Sequence, residues 1–117
     1  MSKTIENPQA ITYLPLLGRV AAGEPILAEQ NIEGHIPVDS TMTRGENDFA
    51  LEVKGDSMME AGILDGDIVF ARQQPTAMTG DMVVAQIGNE ATVKFYFPET
   101  ERIRLQPANE SYQPIWV

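Results

Sequence analysis

Apolar and polar residues alternate in several short runs along the chain, and the clearest of them lies near its middle. Phe49, Leu51 and Val53 alternate with Ala50, Glu52 and Lys54, the period-two pattern of a strand buried on one face. Gly55-Asp56 ends that run and Ser57 follows at once. The stretch Ser57 to Ala61 has room for about one helical turn, with Ser57 or Asp56 placed to cap its start and Gly62 placed to stop it. Asp65-Gly66-Asp67 predicts a turn into a strand at Ile68-Val69-Phe70-Ala71. Met82 to Ile87 and Glu90 to Phe97 flank Gly88-Asn89, a two-residue connection of the kind that closes a tight hairpin. Arg102 to Gln106 alternates again, with Ile103 and Leu105 on one side, and Tyr112 to Val117 reads as an apolar strand.

Residues 1–13 carry Pro8 and no clear periodicity, so they read as a leader or the remnant of an interdomain linker. Order is expected from about Tyr13, with one domain over residues 14–117. Short strands, little helix and frequent Gly and Pro predict a mostly β fold, a folded sheet or partly open barrel with about one helical turn.

Composition narrows the function. The chain is 43% hydrophobic and 21% charged over 117 residues, enough apolar material for one core and not for two. A formal charge of -9 is repelled by the phosphate backbone that supplies most nucleic-acid affinity, so this chain alone should not bind DNA. With no cysteine, a disulfide framework, a thiolate metal site and a cysteine nucleophile are excluded, which fits a reducing compartment. No apolar run reaches the roughly 18 to 20 residues that span a bilayer, and the N-terminus lacks a signal-peptide layout. A cytoplasmic protein without a membrane partner is the expectation.

The candidate chemistry begins at Ser57. A serine hydroxyl is a poor nucleophile until a base takes its proton. The sole histidine, His35, lies in Glu33-Gly34-His35-Ile36-Pro37, a turn-like context that reads as surface or packing. Lysine is the other base, as in Ser-Lys variants of the triad, and Lys94 sits in the strand-like run Glu90 to Phe97. An ordinary lysine, with a pKa of about 10.4, is neutral in only about one molecule in 2,500 at pH 7, a handicap of roughly 4.6 kcal/mol. Burial removes that handicap by disfavouring the ammonium. Alternation opposes burial, however: with Ala91, Val93, Phe95 and Phe97 toward the core, Lys94 shares the outer face with Thr92 and Tyr96, where a lysine is normally solvated. Taken singly, Ser57 reads as a helix cap and Lys94 as a surface lysine.

Upstream, Val20-Ala21-Ala22-Gly23 reads as a loop. Small residues there let a nucleophile approach the backbone closely, and an extended segment could add to a sheet edge. Tethered to the same chain, it is present at high effective concentration. Amides of Asp56 and Ser57 at the start of a helical turn could hold an oxyanion. Asp65-Gly66-Asp67 has too few ligands for a calcium loop, and Glu46-Asn47-Asp48 reads as a solvated loop. Neither a metal nor any cofactor is expected.

In order along the chain, Leu16-Leu17-Gly18-Arg19-Val20-Ala21-Ala22-Gly23-Glu24-Pro25, Val53-Lys54-Gly55-Asp56-Ser57-Met58, Gly66-Asp67 and Thr92-Val93-Lys94 resemble the C-terminal self-cleaving domain of LexA-type repressors. Ser57 lies thirty-five residues after Ala22, and Lys94 thirty-seven after Ser57. The resemblance runs from about Leu14 to Val117. It implies that Ser57 attacks the carbonyl of Ala22 with Lys94 as base, cutting the Ala22-Gly23 bond within the same molecule. It also implies stimulation by activated RecA filament, a homodimeric parent and operator binding through an N-terminal domain absent here. Family members alternate between docked and undocked cleavage loops. Their chains continue beyond the segment resembling Ser111 to Val117, so the family's last strands are expected to be missing. Three other readings are a UmuD-like self-processing polymerase accessory protein, a signal peptidase, which needs a membrane anchor, and a non-catalytic β module that dimerises or binds a partner.

Overall fold

A computed structural model describes residues 11–43 and 47–117 of the chain. β1 (Ile11–Leu17) pairs antiparallel with β2 (Ile32–Asp39), while β3 (Asp48–Glu52) lies parallel to β1 and antiparallel to β4 (Ile68–Arg72). The order in this first sheet is β2-β1-β3-β4. A second sheet holds β5 (Met82–Ile87), β6 (Glu90–Pro98), β7 (Ile103–Gln106) and β8 (Ile115–Trp116) in chain order, each antiparallel to the next. Among the described residues the architecture is mostly β, with two four-stranded sheets and no closed barrel. Gly88-Asn89 joins β5 to β6 with Ile87 facing Glu90, the hairpin expected from the pattern. β1 begins at Ile11, two residues before Tyr13; residues 1–10 of the expected leader lie outside the described residues.

The strand at Phe49 departs from the one-faced pattern. Asp48, Phe49, Ala50 and Leu51 are all buried, so both faces of β3 are covered, while β1 and β4 pair along its two edges. Ala50 fits the second face because it is small. Asp48 is correspondingly not part of a solvated loop. It pairs with Ala71's neighbour Arg72 across the sheet, Nε to Oδ1 at 3.2 Å, with the carboxylate only 7% exposed. Glu46, from the same expected loop, lies outside the described residues. His35 likewise lies within β2, opposite Pro15, rather than in a turn, and it is exposed.

The core joins the two sheets. Leu17, Val20, Phe49, Leu51, Val53 and Met58 cluster with Val93 of β6. Burial of this apolar surface is the main force holding the sheets together. Met58 follows Ser57 directly, while Val93 precedes Lys94. Each residue of the suspected pair is therefore next in sequence to a buried anchor.

Candidate active site

The turn that carries Ser57 is fastened from two directions. On one side, the Asp65 carboxylate accepts the Gly55 N–H at 2.6 Å, the Gly66 N–H reaches the Val53 carbonyl at 2.8 Å and Val53 N–H reaches the Asp67 carbonyl at 2.7 Å. Gly55 has φ 85, a left-handed conformation that a side chain would strain. On the other side, the chain leaving β7 supplies the Ala108 N–H to the Ser57 carbonyl at 2.8 Å, and Asn109 Nδ2 to the Asp56 carbonyl at 2.8 Å. Tyr112 donates its hydroxyl to Asp56 Oδ1 at 2.6 Å, and that carboxylate raises the phenol's pKa.

The helical turn is a 3₁₀ segment, Met59–Ala61, stopped by Gly62. Its N-cap is Met58, with no side-chain cap bond. Neither Ser57 nor Asp56 caps it, contrary to the reading of Ser57 as a cap. The hydroxyl is instead left for Lys94, whose Nζ lies 2.9 Å from Ser57 Oγ. Among the described residues, no hydrogen bond is found from the backbone N–H of Asp56 or Ser57.

Lys94 is 4% exposed and is not a surface lysine. β7 pairs with β6 only from Phe95 to Pro98, so the β6 edge at Lys94 has no β7 strand beside it. The Ser57 turn lies against that stretch. Around Nζ stand Ser57 Oγ at 2.9 Å, Thr92 Oγ1 at 2.6 Å and the Val93 carbonyl at 3.0 Å. Loss of hydration pushes the Lys94 pKa below 10.5.

A stability prediction follows from that direction. Between the lowered folded value and the ordinary value of 10.5, the unfolded chain binds the more protons, so stability rises with pH through this window. The destabilisation is fully present below the folded pKa and is relieved above it. In a Ser57→Ala background, urea unfolding at a series of pH values should show Lys94→Met losing ground to Lys94 as pH climbs toward 10.5. A pH-independent difference between the two would contradict the burial.

The segment from Gly18 to Asn31 connects β1 to β2. Val20 is 1% exposed and belongs to the core cluster that includes Met58 and Val93. The Ala21 carbonyl accepts Gln86 Nε2 from β5 at 3.0 Å and the Glu24 N–H at 3.2 Å, while Ala21 N–H donates to Asn31 Oδ1 at 2.9 Å. Ala22 and Gly23 stand exposed at the tip of the resulting turn, with Gly23 at φ 84, the conformation required at the third position of a type II turn. The segment is thus a side-chain-fastened turn and not an extended strand added to a sheet edge. Among the described residues, the hydrogen-bond partner of Ser57 Oγ is Lys94.

A cleft of about 370 Å³ lies between these parts, walled by Leu17, Gly18 and Arg19, by Ser57, and by Glu90 and Thr92. Ser57 and Thr92 face it, with the Lys94 ammonium behind them. A larger groove of about 900 Å³ runs along Phe70 of β4 and Met82 of β5, and neither Ser57 nor Lys94 lines it. We take the smaller cleft as the candidate site because Ser57, whose hydroxyl meets the perturbed Lys94, lines it. Among the described residues, no group of three His, Cys, Asp or Glu is placed to hold a metal ion, and no helix is long and apolar enough to cross a membrane.

Asn31, Gln86, Asn109 and Tyr112 carried no sequence signal. Each reaches a partner at a distance along the chain, ten, sixty-five, fifty-three and fifty-six residues away, and each type is common in turns or on surfaces.

The Ser57 hydroxyl thus lies beside a buried lysine on a fold of two small sheets. The chain belongs to the Peptidase S24-like family, whose model matches residues 15–117. Among curated proteins it is similar to the LexA repressor of Myxococcus xanthus, 53% identical over 107 residues that cover 89% of this chain and 48% of the relative. The LexA repressor of Geobacillus kaustophilus is 52% identical over 119 residues, covering 100% of this chain and 57% of that protein. That of Leptospira biflexa is 55% identical over 102 residues, covering 87% and 50%. The chain spans about half the length of these relatives.

Proposed function

We propose that this chain is the self-cleaving part of a LexA-like repressor, and that it cuts its own Ala22-Gly23 bond with Ser57 as nucleophile and Lys94 as general base. The observation that carries this reading is a 4% exposed lysine whose Nζ lies 2.9 Å from a serine oxygen. Neutral Nζ takes the Ser57 proton as Oγ bonds to the Ala22 carbonyl carbon. The oxygen of the tetrahedral intermediate carries the negative charge, and the Asp56 and Ser57 amides would donate to it. Collapse breaks the C–N bond, and the ammonium returns its proton to the departing Gly23 nitrogen. Water, deprotonated by the same amine, then hydrolyses the Ser57 ester and leaves a carboxylate on Ala22.

In the whole protein, activated RecA filament would stimulate this single turnover during the SOS response to DNA damage, and the cut would inactivate a cytoplasmic, homodimeric repressor. Operator contact would belong to the part of the relatives that this chain does not span, since a charge of -9 disfavours DNA. Alkaline incubation of the purified chain followed by intact-mass measurement should release two fragments, 1–22 and 23–117. A folded chain that stays whole, or is cut elsewhere, refutes the proposal.

A further inference from the structure

Residues 18–31 form a loop with adjacent ends, because Leu17 faces Ile32 across β1 and β2. The Gly18 N–H donates to the Asn31 carbonyl at 2.9 Å and shuts the neck. A loop closed only there would sample many conformations, and holding one of its peptides in place requires contacts inside it. The Asn31 side chain supplies them.

Asn31 is 2% exposed. Its Oδ1 accepts the Ala21 N–H at 2.9 Å, and its Nδ2 donates to the Pro25 and Ile26 carbonyls, each at 3.1 Å. Having partners of both kinds fixes the orientation of the amide. Those three backbone groups bracket Ala22-Gly23 in sequence: Ala21 precedes the pair, and Pro25 and Ile26 follow it. The tip between them is open, with nothing within 4 Å of a side-chain carbon built on Gly23. Gln86 Nε2 holds the Ala21 carbonyl from β5 at 3.0 Å, so the Ala21 peptide groups are tied to the loop on one side and to the second sheet on the other.

We infer that Asn31 is a positioning residue for self-cleavage: it folds residues 18–31 so that the Ala22-Gly23 peptide is carried at the tip. The unit on which the site acts is then the folded loop and not the linear stretch Val20 to Pro25. This rests on the reading of Ala22-Gly23 as the bond that is cut. Asparagine is required chemically. Aspartate keeps an acceptor for Ala21 but sets a carboxylate oxygen against two carbonyls, and alanine loses all three bonds, leaving the half-buried Ala21 N–H and Ile26 carbonyl without their Asn31 partner.

The test compares the wild-type chain with Asn31→Ala, Asn31→Asp and Gln86→Ala, each checked for folding by circular dichroism. Self-cleavage is followed by intact mass, and Ser57 is probed separately with diisopropyl fluorophosphate, from which its Oγ displaces fluoride. We expect Asn31→Ala and Asn31→Asp to self-cleave at least about tenfold more slowly, while Ser57 is phosphorylated as fast as in wild type. Gln86→Ala, which leaves the loop interior untouched, should show the same split and keeps the test decisive if the Asn31 variants do not fold. Equal loss of both reactions, or unchanged self-cleavage, overturns the inference. A wild-type chain that stays intact removes the reaction itself and this assignment with it, whereas cleavage of wild type and variants alike removes only the role of Asn31.

Discussion

Lys94→Arg should leave the chain whole after incubation under conditions in which the wild type is cut to completion. Arginine keeps the positive charge, but its guanidinium does not deprotonate in proteins and has no lone pair to offer Ser57. Lys94→Ala removes the base as well, with an expected loss of about 10²–10⁴-fold, the usual contribution of general-base catalysis. Ser57→Ala should cost more, since no acyl-enzyme bond can form without Oγ. Because the two side chains act as a unit, Ser57→Ala combined with Lys94→Ala should be no slower than Ser57→Ala alone. Intact mass spectrometry reads all four chains. Residual cutting at Ala22-Gly23 in Ser57→Ala, near the wild-type rate, would assign the nucleophile elsewhere. The contacts that hold the Ser57 turn, among them Ala108 N–H to the Ser57 carbonyl and Asn109 Nδ2 to the Asp56 carbonyl, do not involve either substituted side chain. The variants should therefore keep the fold, which circular dichroism checks.

Much of the fold was legible because its strands are short and their turns carry distinctive residues. Gly88-Asn89 between two apolar runs and Asp65-Gly66-Asp67 before Ile68 place β4, β5 and β6 closely. Alternation misled where a strand is packed on both of its faces. Ala50 and Asp48 look outward-facing by period yet are buried, since one chain segment does not show what will pack over it. The same limit applied to Lys94. Its period-two face is covered by a turn thirty-seven residues away, and no local pattern announces such a contact. The residues proposed to react were thus identifiable by type and by family resemblance, but the burial that would make Lys94 useful as a base was a tertiary fact. Asn31 was invisible for a related reason. Its role depends on a loop closing on itself, and a polar Glu29-Gln30-Asn31 run equally describes solvent-exposed chain.

Self-cleavage should accelerate about tenfold per pH unit and then level off at a pH below 10.5, a profile that separates the Lys94 base from simple hydroxide attack. The reactive species is the neutral amine, whose fraction rises tenfold per unit until Lys94 has titrated. Burial lowers that point from 10.5. The groups around Nζ explain why deprotonation also prepares the nucleophile. Three acceptors, Ser57 Oγ, Thr92 Oγ1 and the Val93 carbonyl, match the three protons of an ammonium. A neutral amine has two protons and a lone pair, and the Val93 carbonyl can only accept. One hydroxyl must then turn and donate, and the Ser57 hydroxyl does so in the orientation needed for proton transfer. Thr92→Val tests this balance. It takes a charge-assisted bond from the ammonium and a weaker one from the amine, so the plateau should begin at a lower pH than in wild type. Rate measurements by intact mass between about pH 7 and 11 decide the matter: a line that keeps its slope through 10.5 in both chains would mean that hydroxide, not Lys94, removes the proton.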